Sequence, residues 1–204
     1  MSSAASAVLH VLRCIGYAEL PRVADAAGLP GPDAESHLID LAAAGLATRT
    51  SGAWGLTEAG RAEDARRTAR EVDATGTRNA LTTAFERFMV LNPELLDLCS
   101  AWQLRTPDGM AAPNDHSDPS YEARVLERFA DLDRRAEPVI AGLAAALPRF
   151  GRYRVRLGAA LDRARAGELE HLADSMTSYH TVWFQLHEDL LATLGIPRPW
   201  TAAR

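Results

Sequence analysis

The stretch that decides the fold is SHLIDLAAAGLATRTSGAWGLTEAGR, from Ser36 to Arg61. Its first half has apolar residues at helical spacing and a stop at Gly45, which predicts the end of a helix. Two short strands are then predicted, Ala47–Thr50 and Ala53–Leu56, and the Ser-Gly pair between them is typical of a β-hairpin turn. Another helix is predicted to begin directly after the hairpin.

The residues before this stretch predict further helices. Apolar side chains recur at helical spacing from Val8 to Ile15, and Gly16 ends that helix. A short helix follows over Glu19–Ala27, and Pro32 stands where a third helix begins. The predicted order is helix, helix, helix, hairpin, helix, which is the order of a winged helix-turn-helix.

The same stretch resembles MarR-type transcriptional regulators. The resemblance rests mainly on Ala44-Gly45-Leu46, which ends the third helix, and on Leu56–Arg61, which opens the next one. It covers about a third of the chain and implies a winged helix-turn-helix over residues 1–72. In that fold the third helix enters the major groove of DNA, and the hairpin lies along the backbone or the minor groove.

The resemblance also implies a set of DNA contacts. They lie on the second helix, the third helix, the hairpin and the start of the linking helix. Arginines in the set would bind phosphates, while a serine and a histidine would read base edges. The expected DNA-binding residues are Arg22, Ser36, His37, Arg49 and Arg61.

The charge of the third helix opposes DNA binding. This helix carries Asp33, Glu35 and Asp40 and no arginine, and residues 1–72 contain seven arginines against nine acidic residues. Acidic side chains repel phosphate, and phosphate contacts supply most of the affinity for DNA. Two interpretations stay open: the domain binds DNA, or its acidic third helix docks on a basic surface of another protein.

Residues 73–204 predict an all-α domain for dimerisation and ligand sensing. No strand pattern follows Leu56, and a loop rich in Pro, Gly, Asn and Asp is predicted from Arg105 to Pro119. Pro93 is expected to open a helix, and Pro138 to kink or restart one. Helices are expected over 81–91, over 93–104, from 120 onward, over 149–166 and over 175–194.

An arginine-rich helix face is the first candidate for ligand binding in this domain. Arg149, Arg152 and Arg156 are spaced by three and four residues, so they share a face. Such a cluster binds a carboxylate or a phosphate through bidentate hydrogen bonds. Alternatively, this face pairs with acidic residues such as Asp133 on the preceding helix, and both interpretations stay open.

His116, in the loop before the long helix, is the second candidate. Capping of that helix explains its neighbours, with Ser117 or Asp118 at the N-cap and Pro119 just after it. Capping does not account for His116 itself. This histidine is therefore a candidate for ligand binding or pH sensing.

The last long helix carries the third candidate. Tyr179, His180, Trp183 and His187 fall on one stripe, which either lines a pocket together with Trp102 or is purely structural. The two histidines are seven residues apart, which is roughly 10.5 Å along a helix axis. At that separation they do not share one zinc ion. No metal and no cofactor are therefore expected.

Most of the chain also resembles a C-terminal extension of some actinobacterial pyruvate phosphate dikinase-like proteins. The segments that carry this second resemblance are LNPELLDLCSAWQLR (91–105), NDHSDP (114–119), PRFGRYRVRL (148–157) and SYHTVWFQLHEDLLATLG (178–195). It implies a stand-alone copy of a regulatory module. It brings no catalytic residues, because the nucleotide-binding and phosphohistidine parts of those enzymes have no counterpart in this sequence.

The sequence has no recognisable catalytic motif. It lacks a phosphate-binding glycine loop and a Gly-x-Ser-x-Gly elbow, and without any lysine it has no Schiff-base chemistry. Glu188 and Asp189 fall off the stripe of the last helix and are expected to face solvent. Cys14 and Cys99 lie among apolar neighbours and are expected to be buried free thiols. The chain is not expected to be an enzyme.

Length and composition set the remaining bounds. The 204 residues carry a net charge of −5, no apolar run long enough to span a bilayer and no signal-peptide pattern at the start. A cytoplasmic protein is expected. The leading function is a DNA-binding transcriptional regulator, a homodimer on double-stranded DNA that responds to a small acidic ligand. The alternative is a module that regulates a metabolic enzyme and binds no DNA.

Overall fold

The chain is mainly helical. A computed structural model describes residues 2–105, 110 and 112–197, and within them the chain forms eight α-helices and two small antiparallel sheets. The fold class expected from the sequence is therefore confirmed at this level. Among the described helices, none combines the length and the hydropathy needed to cross a membrane.

The chain divides into two units. The N-terminal unit comprises Met1–Arg78 together with His187–Arg204, so it combines an N-terminal and a C-terminal segment of the sequence. The central unit comprises Asn79–Leu186.

The N-terminal unit contains its helices and hairpin in the predicted order. Both hairpin strands have their predicted bounds and pair antiparallel, with Ala47 opposite Leu56. Gly45 follows the third helix with a φ of 71°, a conformation that glycine adopts without strain. The elements are α1 Ser3–Ile15, α2 Leu20–Ala27, α3 Gly31–Ala43, β1 Ala47–Thr50, β2 Ala53–Leu56 and α4 Glu58–Thr75.

One apolar core joins α1, α2, α3 and the two hairpin strands. Leu9 and Leu12 on α1 are buried in the same cluster as Leu38 on α3 and Trp54 on β2. The link between α1 and α2 is also tied to the hairpin, because Ala18 and Trp54 exchange two backbone hydrogen bonds of 2.9 and 2.8 Å. Burial of this apolar surface is the main favourable term that holds short helices together.

Contacts at the junction between α3, the hairpin and α4 explain why residues 56–61 have the sequence Leu-Thr-Glu-Ala-Gly-Arg. Thr57 caps α4 by accepting a 3.0 Å hydrogen bond from the Gly60 amide, and its hydroxyl donates to the Gly45 carbonyl at 2.7 Å. The Thr57 amide donates to the Leu46 carbonyl at 3.1 Å. A Cβ at Gly60 would stand 1.9 Å from that same Leu46 oxygen. The first turn of α4 therefore lies against the backbone at a distance that only glycine allows.

The central unit is helical apart from a two-residue ladder. β3 pairs with β4, so the expectation of no strand after Leu56 is wrong in this one respect; strands of two residues are too short to show alternation. The elements are α5 Arg78–Gln103, β3 Leu104–Arg105, β4 Ala112–Pro113, α6 Pro119–Ala146, α7 Gly151–Arg165 and α8 Tyr179–Leu194, with 3-10 turns at Pro148–Phe150 and Leu169–His171. The last residues of α8 belong to the N-terminal unit.

Neither Pro93, expected to open a helix, nor Pro138, expected to kink or restart one, separates two helices. Pro93 is within α5 and Pro138 is within α6, so the prediction that Pro93 opens a new helix is wrong. The buried positions of α5 continue through the proline, from Phe88 and Leu91 to Leu95. Packing of this continuous apolar face outweighs the one backbone hydrogen bond that a proline removes.

A buried carboxylate links three helices of the central unit. Asp133 on α6 accepts two hydrogen bonds from the Arg154 guanidinium on α7, at 2.7 and 2.8 Å. It also accepts a 3.1 Å hydrogen bond from the Tyr179 hydroxyl on α8. Burial, followed by the Asp133 charge, raises the pKa of Tyr179 well above its ordinary value, so this phenol stays a donor. Pairing between α7 arginines and acids on the preceding helix thus occurs at Arg154.

Candidate functional sites

The outward face of α3 is acidic and partly apolar. Ala34, Leu38 and Leu41 point into the core, so the opposite face is left to solvent. Exposed on that side are Asp33 and Asp40, which lie two turns apart on one face, and beside them Ile39 is 55% exposed. The expected DNA-reading residues share this helix: Ser36 is exposed and His37 is half-buried.

The arginines expected to bind phosphate are in different environments. Arg22 on α2 is half-buried, and burial lowers the pKa of its guanidinium. Arg49 on β1 is exposed and stands over the Trp54 ring at 5.3 Å from the ring centre. Arg61 in the first turns of α4 is exposed. Two of these three arginines are therefore open to a partner.

The next arginines of α4 are engaged on their own helix. Arg66 and Arg67 both donate to the Glu63 carboxylate, at 2.7 and 2.6 Å. Hydrogen bonds from Arg66 and then Arg67 lower the pKa of Glu63, which keeps the carboxylate charged. The Glu63 charge therefore offsets part of the positive charge of Arg66 and Arg67.

The loop before α6 holds His116 in a small polar network. His116 lies 3.0 Å from Glu122 through Nδ1, and its ring is 4.8 Å from the Trp102 ring. The Asn114 amide donates to Glu122 at 2.7 Å and to the Trp102 carbonyl at 2.9 Å. Of the two residues predicted for the N-cap of α6, Ser117 and Asp118, it is Asp118 that occupies this position. Two candidate ligand residues, Trp102 and His116, are thus brought together.

The aromatic residues of the α8 stripe lie in the core of the central unit. Trp183 is 2% exposed, its ring is stacked 4.6 Å from that of Phe88, and its Nε1 donates to Asn92 at 3.0 Å. Tyr179 is fully buried and hydrogen-bonded to Asp133. The two histidines lie at half-buried positions, His180 in the central unit and His187 in the N-terminal unit.

The three arginines expected to form a ligand-binding face are half-buried. Arg156 donates to the Gln185 side chain at 2.7 Å. The guanidinium groups of Arg149 and Arg152 stand 5.1 and 5.0 Å from the ring centres of the aromatic residues that follow them. Their ligand roles stay predictions.

A shallow depression of about 360 Å³ lies between α5 and α6. Its floor is largely apolar, and Arg87 and Asn79 supply polar groups. Its described lining contains none of the residues expected to bind a ligand.

A buried cluster of ionisable groups in the N-terminal unit was not predicted from the sequence. His10 on α1 lies between two carboxylates: its Nδ1 is 3.0 Å from Asp64 on α4, and its Nε2 is 2.9 Å from Asp189 on α8. The Cys14 sulfur is 3.7 Å from the same Nε2. Thr193 donates to Asp189 at 3.0 Å. All five side chains are buried.

The charge state of this cluster follows from its contacts. Burial alone lowers the pKa of His10, while Cys14 and the carboxylates of Asp189 and Asp64 raise it, so the pKa lies well above its ordinary value. The two carboxylates beside the ring therefore favour the protonated form of His10. The expectation that Asp189 faces solvent is wrong, since Asp189 is 0% exposed.

One sequence signal pointed toward the cluster. His10 and Cys14 are four residues apart on an apolar helix, so they share a face. Asp64 lies on a polar helix, and Asp189 is 179 residues away from His10. No sequence pattern at either aspartate indicates contact with α1. The cluster depends on tertiary contacts that hydrophobic periodicity does not report.

The buried position of Cys99, the second cysteine, can be tested by alkylation. Burial, followed by the charge of Asp174, raises the pKa of Cys99 to about 12. At pH 8 its thiolate fraction is then about a thousandfold below that of an ordinary cysteine. We expect iodoacetamide to leave Cys99 unmodified in the folded protein and to alkylate it in urea, measured by peptide mass spectrometry. Equal alkylation rates in the two conditions would contradict the buried position of Cys99.

Comparisons of this chain with protein-family models, with curated proteins and with solved structures find no match. The chemistry of its own surface and clusters is therefore the basis for assigning a function.

Proposed function

We propose that the N-terminal unit is a winged helix-turn-helix whose α3 face docks on a basic surface of another protein, so that the chain regulates that partner. The observation that carries the proposal is the exposed side of α3. It has Asp33, Asp40 and Ile39 and no cationic side chain.

The order of elements supports the winged-helix assignment. Three helices precede a two-stranded hairpin and a fourth helix. The two backbone hydrogen bonds between Ala18 and Trp54 join the α1–α2 link to the hairpin, which fixes the hairpin beside the three helices. In this fold α3 is the helix that presents its outer face to a partner.

Charge complementarity favours a protein over DNA as that partner. Acids on α3 would face the phosphates of a duplex, whose contacts normally supply most of the affinity. Against arginine and lysine side chains, the same acids steer association and fix its orientation. The exposed Ile39 adds the apolar contact that interface centres contain. The resemblance to an extension of pyruvate phosphate dikinase-like proteins agrees with a role on a metabolic enzyme.

Two exposed arginines favour a second candidate function. Arg49 on the hairpin and Arg61 on α4 are open to solvent at positions where a winged helix contacts phosphates. In this candidate a homodimer binds two DNA half-sites, and a small acidic ligand in the central unit changes their spacing.

A photo-crosslinking amino acid at Ile39 tests the first proposal. The full chain carrying it is expressed in its native host, with Val155, 72% exposed on α7, as the matched control position. We expect one protein to crosslink from position 39 and not from position 155. Purified, it should bind the chain more weakly as salt rises, and the Asp33→Arg/Asp40→Arg double variant should bind at least about tenfold more weakly.

The competing outcome is measured with labelled duplex DNA. Fluorescence anisotropy compares DNA from the upstream region of the gene with an unrelated duplex over a salt series. Tight, sequence-preferring binding that Arg49→Ala weakens would replace the docking proposal with the DNA-binding regulator. A crosslinked protein whose affinity is unchanged by the double charge reversal would also overturn the docking proposal.

A further inference from the structure

We propose that His10, Cys14 and Asp189 form a buried binding site for one divalent transition-metal ion of the zinc class. The site lies entirely within the N-terminal unit, and its three residues come from α1 and α8 and not from α3. It is also separate from the His180 and His187 pair, whose spacing argued against a shared zinc ion.

The distances between the three ligand atoms suit one ion. His10 Nε2 is 2.9 Å from an Asp189 carboxylate oxygen and 3.7 Å from the Cys14 sulfur, and all three atoms lie within 4.8 Å of one another. Zinc bonds of about 2.0 Å to nitrogen or oxygen and 2.3 Å to sulfur, at tetrahedral angles, place the ligand atoms roughly 3.3 to 3.5 Å apart. The two separations that involve His10 Nε2 each differ from these values by only a few tenths of an ångström.

The chain supplies the ligands from two fixed elements. His10 and Cys14 stand one helical turn apart on α1, which is the spacing at which two side chains of one helix chelate a single ion. Asp189 comes from the end of α8, and the Thr193 hydroxyl holds one of its oxygens. A bound ion would join the first helix of the unit to its last segment.

Asp64 supplies the support that a metal-binding histidine requires. Its carboxylate accepts from His10 Nδ1 at 3.0 Å, which leaves Nε2 as the atom directed at Cys14 and Asp189. Histidine ligands of metals commonly donate their other ring N–H to a carboxylate, which fixes the tautomer and the ring orientation. This contact distinguishes the cluster from a simple group of buried acids.

The donor set selects the class of ion. One imidazole nitrogen, one thiolate and one carboxylate oxygen suit zinc or cobalt, whereas magnesium and calcium prefer oxygen ligands alone. The cluster therefore favours a transition metal that binds nitrogen and sulfur as well as oxygen.

Cobalt(II) is the probe for this site, because thiolate ligation gives an intense near-ultraviolet charge-transfer band. Chelator-treated full-length protein is titrated with Co²⁺ and then with Zn²⁺. We expect one Co²⁺ per chain, the charge-transfer band, and loss of the band when one equivalent of Zn²⁺ is added. We also expect Zn²⁺ to raise the thermal midpoint of the protein, because the ion binds the folded state.

Two cysteine variants assign the sulfur ligand. Cys99→Ser replaces the other buried cysteine and should keep the band, and Cys14→Ser should lose it. The chain has two cysteines, so a band in both the wild type and Cys99→Ser identifies Cys14 even when Cys14→Ser does not fold. Asp64→Asn, which keeps all three ligands, should lower the affinity by about ten- to a hundredfold.

The opposite results overturn the site. These are a folded protein that shows no charge-transfer band with excess Co²⁺, a band that survives in folded Cys14→Ser, or a band lost in folded Cys99→Ser. In the first case the cluster is a metal-free ion-pair network of His10 with its two carboxylates.

Discussion

Gly60→Ala should destabilise the N-terminal unit by about 3 kcal/mol. The new methyl would stand 1.9 Å from the Leu46 carbonyl oxygen, and a backbone atom cannot move aside as a side chain does. Overpacking of this kind costs about 1–3 kcal/mol or more. Moving α4 away would also weaken the Thr57 cap, worth about 1 kcal/mol. The better helix propensity of alanine returns about 1 kcal/mol.

The matched control is Gly142→Ala on α6. Gly142 is an exposed helical glycine, and apart from its own helical backbone and chain neighbours an added Cβ would meet no atom within 4 Å. We expect this variant to be as stable as the wild type or more stable by roughly 0.5–1 kcal/mol. Urea unfolding followed by circular dichroism measures both variants. If Gly60→Ala unfolds at the same urea concentration as Gly142→Ala, α4 does not approach Leu46 as closely as described.

The local part of this fold is predictable because local chemistry determines it. The end of α3, the two hairpin strands and the start of α4 each depend on glycine conformation, capping or apolar alternation within a few residues. Thr57 and Gly60 show why that segment has its sequence: one caps the helix and the other permits the close approach to Leu46. Such features are visible in a sequence before any tertiary contact is known.

The parts that were not predictable depend on contacts between distant segments. Pro93 has the local signature of a helix start, yet α5 continues through it, because its buried face extends on both sides. Asp189 has the local signature of a solvated acid, and its burial follows from pairing with His10, which lies 179 residues away. Periodicity marks which face of a helix is apolar, but it does not show that a carboxylate on that helix has a buried cation to pair with.

The candidate ligand-binding residues show the same difference between what local sequence predicts and what tertiary contacts decide. The sequence grouped Trp102, Tyr179 and Trp183 as aromatic side chains on inward faces, and all three are almost fully buried. Whether inward aromatic residues line a pocket or fill a core depends on what occupies the space beside them. For Trp183 that space is filled by Phe88 and by the amide of Asn92.

Trp183→Ala should therefore lower the free energy of unfolding by about 4 kcal/mol. Truncation of a buried tryptophan costs about 3–5 kcal/mol, through lost apolar contact and the cavity left behind. Here it also removes the stacking on Phe88 and leaves the Asn92 side-chain oxygen without its donor. Trp183→Phe, which keeps an aromatic ring but loses the donor, should cost less, at about 1–2 kcal/mol.

The adjacent residue provides the control for that measurement. Phe184 is 44% exposed, so Phe184→Ala should change the free energy of unfolding by less than about 1 kcal/mol. Urea or thermal unfolding of the three variants compares these positions on one helix. A Trp183→Ala protein as stable as Phe184→Ala would mean that the ring stands beside open space rather than within a packed core. That result would favour the ligand pocket predicted from the sequence, because an empty pocket loses little when one wall residue is shortened.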